Sequence, residues 1–476
     1  MVRPSGSGTS EPHELARALS SRQIQLMAIG GAIGVGLFLG SASAIRSAGP
    51  AVTLCYILAG AVVFLMLRAL GEMAMDRPIS GSFASYAGSM IGPWAGFVTA
   101  WTYWLMWIAT VMAEITAIGI YVRYFFPSVP QWLPGLIAVF VLVAINLVSV
   151  RLFGEVEFWF ALVKIVAILT FVVTGLAVVA FGIGHLSHQA SASNLWSHGG
   201  FFPQGILGPL VALQIVTYAF LGIEMIGVTA GEAQDPHKEL PKAINRVAWR
   251  ILLFYVASIA VIMMLIPWSN VSATTSPFVI AWRDIGIPAA AGILNVVVLT
   301  SALSSSNSGV FASARMLHNL AGDGHAPRQF SRLSRAHVPA AALLVSGLAL
   351  LAGVLLNILV PQKAFGYITS VATVAVLWVW AMIVIAHLRY RTRVRAGLLP
   401  RQQFSMPGAP WTNYAVLAFI LLVFALLFYV GSQHVALIAG AIWAVCVATG
   451  WWWVSRRADR QRTLSLPLEP ESADSP

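Results

Sequence analysis

From Gln23 to Phe38 the chain reads QIQLMAIGGAIGVGLF, an apolar stretch carrying Gly30, Gly31, Gly34 and Gly36. Such a stretch suits a bilayer-crossing helix, and a helix in lipid keeps its backbone N–H and C=O groups paired internally because hydrocarbon offers them no partner. Four glycines in one span admit two readings. Either the helix opens here and its freed backbone groups meet a polar ligand, as in discontinuous membrane helices, or the glycines let neighbouring helices approach closely. The segment by itself leaves both open.

Composition fixes the broad class. Of 476 residues, 58% are hydrophobic and 9% charged, and the mean hydropathy is +0.81. Apolar runs of the ~17–25 residues needed to cross hydrocarbon recur along the chain. They fall near 22–45, 50–70, 94–122, 131–150, 156–183, 205–230, 247–267, 289–312, 339–360, 366–387, 411–431 and 435–454. The expectation is an all-α integral membrane protein with about twelve spans in one domain, 22–455. Polar segments at 1–21 and 456–476 flank it, the second expected to be disordered towards its end.

With both termini placed in the cytoplasm, 23 of the 28 Lys and Arg residues fall on that side and four (Arg46, Arg123, Arg283, Lys363) on the other. The bias of basic residues towards cytoplasmic loops supports this orientation. A net charge of +11 would suggest a nucleic acid partner in a soluble chain. Here it is an orientation signal, spread over loops such as 387–401 that meet anionic lipid headgroups, and no nucleic acid partner is expected. Residues 1–21 lack the h-region of a signal peptide, so the first span is expected to direct insertion uncleaved. Cys55 and Cys446 both fall in spans and read as small hydrophobes. Neither a metal-ligand pattern nor a cofactor motif stands where it could act, so no metal and no organic cofactor are expected, and no obligatory protein partner is evident.

Three ionisable residues lie inside spans: Glu114 in WLMWIATVMAEITAIGIY, Lys164 in EFWFALVKIVAIL and Glu224 in VTYAFLGIEMIGVTAGEA. A charge at bilayer depth costs roughly 2.5–3.5 kcal/mol even on insertion scales, so each needs a cavity, a partner or neutralisation. A buried strut between helices is the plainer alternative for all three. Around Glu224 the run Phe220-Leu221-Gly222-Ile223-Glu224 supplies a second candidate break, 190 residues after Gly34. Breaks in the first and sixth spans are what an inverted repeat of five plus five helices gives.

These residues resemble a known family. GAIGVGLF in the first span, Ala48-Gly49-Pro50 leading to Gly71-Glu72, GEVEFWFALVKI at 154–165, FLGIE followed by GEAQDP at 231–236, and SNSGVFASARML at 306–317 are similar to bacterial amino acid permeases of the amino acid–polyamine–organocation superfamily, amino acid transporter family. The resemblance covers about residues 12–455. It is nearest in look to permeases for proline, for alanine, glycine and serine including D-isomers, and for aromatic amino acids.

The resemblance implies a LeuT-type fold, with inverted repeats at about 22–183 and 205–387 followed by two peripheral helices at about 411–454. It implies that backbone amides at Gly34, Val35 and Gly36 hold the substrate carboxylate. Carbonyls of Ala32, Phe220 and Leu221 then meet its ammonium. Helix-end electrostatics agree, since a half-helix N-terminus favours an anion and a C-terminus a cation. Relatives often carry Thr or Ser where this chain has Val35, so a side-chain hydroxyl worth on the order of 0.5–1.5 kcal/mol is missing. Lys164 matches a fifth-helix lysine of proton-coupled relatives. It is expected to bridge first-helix carbonyls near Gly30 or Gly31 to Ser304 and Ser305 and to carry the coupling proton. Glu114 is expected to be a polar partner near the pocket or the proton path, and Glu224 a gate or polar support, as are Ser304 and Ser305.

A site built from backbone dipoles reads a zwitterion and leaves selectivity to an apolar side-chain pocket. Leu221 stands where aromatic-specific relatives tend to have Gly, which favours small substrates such as Ala, Gly, Ser or Pro. The expected function is import of a neutral amino acid across the cytoplasmic membrane by proton symport and alternating access. The alternatives are an aromatic or other neutral amino acid permease, an exchanger without proton coupling and, from a different class, a membrane nutrient sensor. A membrane enzyme is disfavoured because the histidines fall in loops or at span ends rather than clustering at one depth.

Overall fold

The computed structural model describes residues 33–78, 82–148, 150–183, 186, 188–230, 236–272, 275–286, 289–335, 337–429 and 434–464. Gly30, Gly31 and Ala32, the segment 1–21 and most of the GEAQDP motif lie outside the described residues. Among those described, the chain forms helices and turns without a strand, the outcome hydrocarbon imposes on apolar segments whose backbone must pair within itself.

A π-helical turn, Gly36–Gly40, opens into α1 (Ser41–Ala48). Gly49, at φ +60°, takes the chain out of that helix and Pro50 starts the approach to α2 (Val52–Asp76). Short α3 (Ser82–Met90) leads into α4 (Pro93–Phe125), α5 (Trp132–Val148) and α6 (Val150–Phe181). The next helix is interrupted: α7 (Leu207–Ala219) stops, residues 220–224 turn, and α8 (Met225–Ala230) resumes. Amphipathic α9 (Pro236–Arg250) passes through a π-helical stretch, Ile251–Ala257, into α10 (Ser258–Leu265), and α11 (Pro277–Ile285) precedes α12 (Ala290–Gly322). Then follow α13 (Ala340–Leu359), α14 (Pro361–Arg395), α15 (Trp411–Tyr429) and α16 (His434–Leu464).

Nine stretches among the described residues are long and apolar enough to cross a membrane. The difference from the expected twelve has physical causes. Gly36–Asp76 runs as 41 nearly continuous residues, at about 1.5 Å per residue twice the thickness of hydrocarbon. The apolar helices Trp132–Val148 and Leu207–Ala219 are shorter than a full span. The polar tail expected from 456 onward begins as helix instead, because α16 continues to Leu464 with Arg456 and Arg457 stacked on Trp452 and Trp453 one turn earlier.

The centre of the bundle is α4 against α12. Gly309 of α12 makes the contact close, since a Cβ there would lie 2.4 Å from Val111 Cγ2. Of the most apolar window in α4, 78% is buried, against 11% for α16, so α4 is central and α16 peripheral. Helix α1 packs on α7, while α14 bridges α4 to α2 and α7.

At the end of the bundle where α2 stops, a buried polar cluster joins α2, α14 and α15. His387 Nε2 lies 3.0 Å from Glu72 Oε2, the Met406 amide donates to the same oxygen at 2.8 Å, and Arg391 Nη1 is 3.4 Å from Glu72 Oε1. Asn413 Nδ2 is 2.9 Å from His387 Nδ1. Arg68, stacked 3.9 Å over the Phe404 ring, donates through Nε to the Ser405 carbonyl, so the α14–α15 connection is strapped across the end of α2.

Candidate functional site

The described chain starts at Ile33 and Gly34, two non-helical residues at the place where the first break is expected. Ile33 and Gly34 precede the helical turn, so their carbonyls and the next N–H need partners. The Ile33 carbonyl accepts from Lys164 Nζ at 3.2 Å and from Ser301 Oγ at 2.9 Å. Lys164 Nζ also donates to Ser304 Oγ at 3.0 Å, which ties α6 to both the break and α12. The Val35 N–H points at the Glu114 carboxylate, 3.3 Å from Oε1 and 3.4 Å from Oε2, and Ser305 hydrogen-bonds that same carboxylate. A Cβ on Gly34 would crowd Glu114 Oε1 and lie 3.2 Å from Ser305 Oγ, so a side chain here would push the carboxylate aside.

The second break is built from i→i+3 bonds. Phe220 N–H donates to Thr217 O, Leu221 N–H to Tyr218 O and Ile223 N–H to Phe220 O at 3.2, 3.0 and 3.4 Å. Gly222 adopts φ +94°, a conformation glycine takes without penalty, and its N–H donates to Glu224 Oε2 at 3.2 Å. Tyr255 OH caps the Ala219 carbonyl at 3.1 Å. The Phe220 ring stacks on Tyr255 with centroids 4.6 Å apart and meets Tyr56 edge-on. With its ring committed away from the break, Phe220 offers the site its backbone.

The two breaks touch. A Cβ on Gly36 would lie 2.7 Å from Ala219 Cα. Glu114, Lys164 and Glu224 are all buried, and each is committed to a backbone group freed by a break. That use accounts for three charges that would otherwise be costly at this depth. Side by side stand an N–H holding a carboxylate and a carbonyl holding an ammonium. This pairing is complementary to a zwitterion.

Several site residues were not singled out in the sequence. Ile33 and Ser301 complete the Lys164 contact, while Tyr121 of α4 and Tyr218 of α7 lie within electrostatic reach of Glu114. The polar run Ser304-Ser305-Ser306-Asn307-Ser308 on an apolar helix was the available signal. Its Asn307 Oδ1 accepts from Asn146 Nδ2 of α5 at 2.8 Å, and the Ser306 and Ser308 hydroxyls are buried without a partner among the described residues.

Membrane-length helices around two touching, polar-lined breaks define a multi-pass α-helical membrane protein with an internal polar site. The chain belongs to the amino acid permease family, whose model matches residues 23–463. It is similar to three proteins of Bacillus subtilis (strain 168). The uncharacterized amino acid permease YtnA is 49% identical over 433 residues, covering 91% of this chain and 94% of that protein. The amino-acid permease AapA is 46% identical over 435 residues, with coverages of 91% and 94%. The probable threonine/serine transporter YbxG is 44% identical over 439 residues, with coverages of 92% and 95%.

Proposed function

We propose that this permease imports a neutral amino acid with a small side chain across a bacterial cytoplasmic membrane by proton symport, with alternating access around the paired breaks. Both termini are cytoplasmic in this reading, and the helices form two inverted five-helix repeats plus two peripheral helices. The carrying observation is the Lys164 ammonium joined to the Ile33 carbonyl and Ser304 beside Glu114 on the Val35 amide. A proton gained or lost by Lys164 alters the tie between the first break and α12, which links proton movement to the site's geometry. The zwitterion's carboxylate competes with Glu114 for the Val35 N–H, and its ammonium takes the carbonyls of the two breaks. The similarity to YbxG, a probable threonine/serine transporter, supports small substrates, as does Leu221 at the second break.

Uptake into proteoliposomes of purified protein, with and without an inwardly directed proton gradient, tests the coupling, and a panel of unlabelled amino acids tests the substrate. Accumulation that follows the gradient and is competed best by Ala, Gly, Ser, Thr or Pro is expected. Uptake that depends only on preloaded amino acid would make the protein an exchanger, and preferred competition by Phe or Trp would make it an aromatic amino acid permease.

A further inference from the structure

Away from the paired breaks, a cavity of about 420 Å³ lies between α4, α14 and α16, within the size range of a small-ligand site. On α16 its wall carries Gly440, Ala444 and Ala448, where larger residues would fill the space. Apart from four indoles, Trp94, Trp378, Trp443 and Trp451, the polar side chain of the wall among the described residues is Thr102. Its Oγ1 accepts from Trp443 Nε1 at 3.1 Å, so the wall presents hydrocarbon and ring surface.

Length and ends identify what fits. The cavity follows α4 from Trp94 to Leu105 and α16 from Trp451 to Gly440, in each case about 16 Å at 1.5 Å per residue. That is half of the ~30 Å hydrocarbon core, the depth one acyl chain occupies in one leaflet. Trp451 meets Phe97, one turn from Trp94, with ring centroids 5.5 Å apart. Two lining indoles therefore stand at one end, as tryptophans do at a membrane–water interface. Near that end Trp378 packs on the cluster of Ala87, Ala95 and Met382, and its Nε1 is buried without an acceptor among the described residues. A buried N–H left unpaired is costly, and a lipid ester carbonyl just inside the interface is an acceptor of the right kind. About a turn and a half beyond Trp451 on α16, the exposed Arg456 and Arg457 are held over the rings of Trp452 and Trp453 at 4.0 and 3.4 Å. They put positive charge where a headgroup would lie.

We propose that this groove binds an anionic glycerophospholipid, with one acyl chain between α4, α14 and α16, the ester carbonyl at Trp378 Nε1 and the phosphate headgroup drawn to Arg456 and Arg457. In the orientation proposed above this is the cytoplasmic leaflet, whose surface carries anionic lipid. The lipid supplies α16 with packing that its own side chains lack, since 11% of that helix's most apolar window is buried, and so seats a peripheral helix against the central α4. The site uses none of the residues at the breaks and stands apart from the amino acid reading.

Native mass spectrometry of the purified full chain in mild detergent, offered equal amounts of phosphatidylglycerol and phosphatidylcholine with matched acyl chains, tests the proposal. Wild type should hold one phosphatidylglycerol per chain and prefer it to phosphatidylcholine by about tenfold, the order that two arginines at a headgroup supply. Ala444→Phe, which fills the groove, or Ala448→Leu should the first variant not fold, should lose that molecule while still eluting as a single species. Arg456→Gln combined with Arg457→Gln should abolish the preference between the two lipids, and Trp378→Phe should weaken binding several-fold. Equal retention of lipid by wild type and the filled variant overturns the site, placing the lipid elsewhere on the surface. Equal uptake of the two lipids by wild type overturns the anionic headgroup. Displacement of the lipid by dodecyl maltoside as readily as by phosphatidylglycerol makes the groove a general alkyl cleft, and a dimer broken by Ala444→Phe makes it a contact between copies of the chain; either result overturns the proposal.

Discussion

Val35 and Glu114 meet across 79 residues of sequence, the backbone N–H of one 3.3 Å from a carboxylate oxygen of the other. A carboxylate thus already occupies the donor that the family resemblance assigns to the substrate. Glu114 and an incoming amino acid would compete for one N–H, and the displaced glutamate would then need a proton or a new partner. On the proposed reading, substrate binding and proton uptake would draw on the same few ångströms of backbone.

Close approach of the breaks makes Gly36 a sensitive position. Gly36→Ala places a methyl 2.7 Å from Ala219 Cα, a backbone atom that cannot swing aside. Uptake should fall more than tenfold while the amount of protein in the membrane stays within about twofold, read by quantitative blotting of the same vesicles. Normal uptake would mean the breaks separate freely.

Lys164→Gln keeps an N–H donor near Ile33 and Ser304 but removes the charge. Concentrative uptake driven by a proton gradient should disappear, whereas exchange of internal for external amino acid should persist. Continued gradient-sensitive accumulation would reduce Lys164 to a strut between α6, α12 and the first break.

Leu221 is buried at the second break, where its side chain is expected to limit substrate size. Leu221→Gly should improve competition by phenylalanine relative to alanine by roughly ten- to two-hundred-fold at most, the range a change in an apolar pocket supports. The ratio of competition constants isolates selectivity from any loss of total activity. An unchanged ratio would remove Leu221 as the size filter.

The Glu72 cluster makes a stability prediction. Glu72→Ala leaves the Met406 amide and the His387 imidazole without their buried acceptor, a loss of about 3–5 kcal/mol by comparison with other broken buried pairs. Thermal unfolding in detergent should shift markedly downward. Arg391→Met should cost less because that side chain is 19% exposed against 1% for Glu72. Equal effects would contradict the assignment of Glu72 as the hub.

Much of this arrangement was legible in the sequence. Glycine density offered a break in the first span as one of two readings, Gly222 beside Glu224 suggested the second, and it was the resemblance to proton-coupled relatives that pointed Lys164 towards the serines of α12. What escaped was whatever lay past the expected span ends. Glu72 lies beyond the span placed at 50–70 and His387 at the edge of 366–387, yet α2 runs to Asp76 and α14 to Arg395. Helices outlast the apolar stretch that betrays them, so the cluster fell outside the search for buried charges. Ser301 and Tyr121 escaped for another reason: a hydroxyl is unremarkable by composition, and only packing reveals that one meets the Ile33 carbonyl and the other stands near Glu114.

The length of α4 has a mechanical meaning. Its 33 residues form one uninterrupted helix, a rod of about 50 Å carrying Glu114 at the central site and, two turns further on, Tyr121 on the same side. A rod of that kind transmits tilt without stretching. Any tilt that re-aims Glu114 must carry Tyr121 with it, so the polar middle of the bundle and the far end of the rod move in common time.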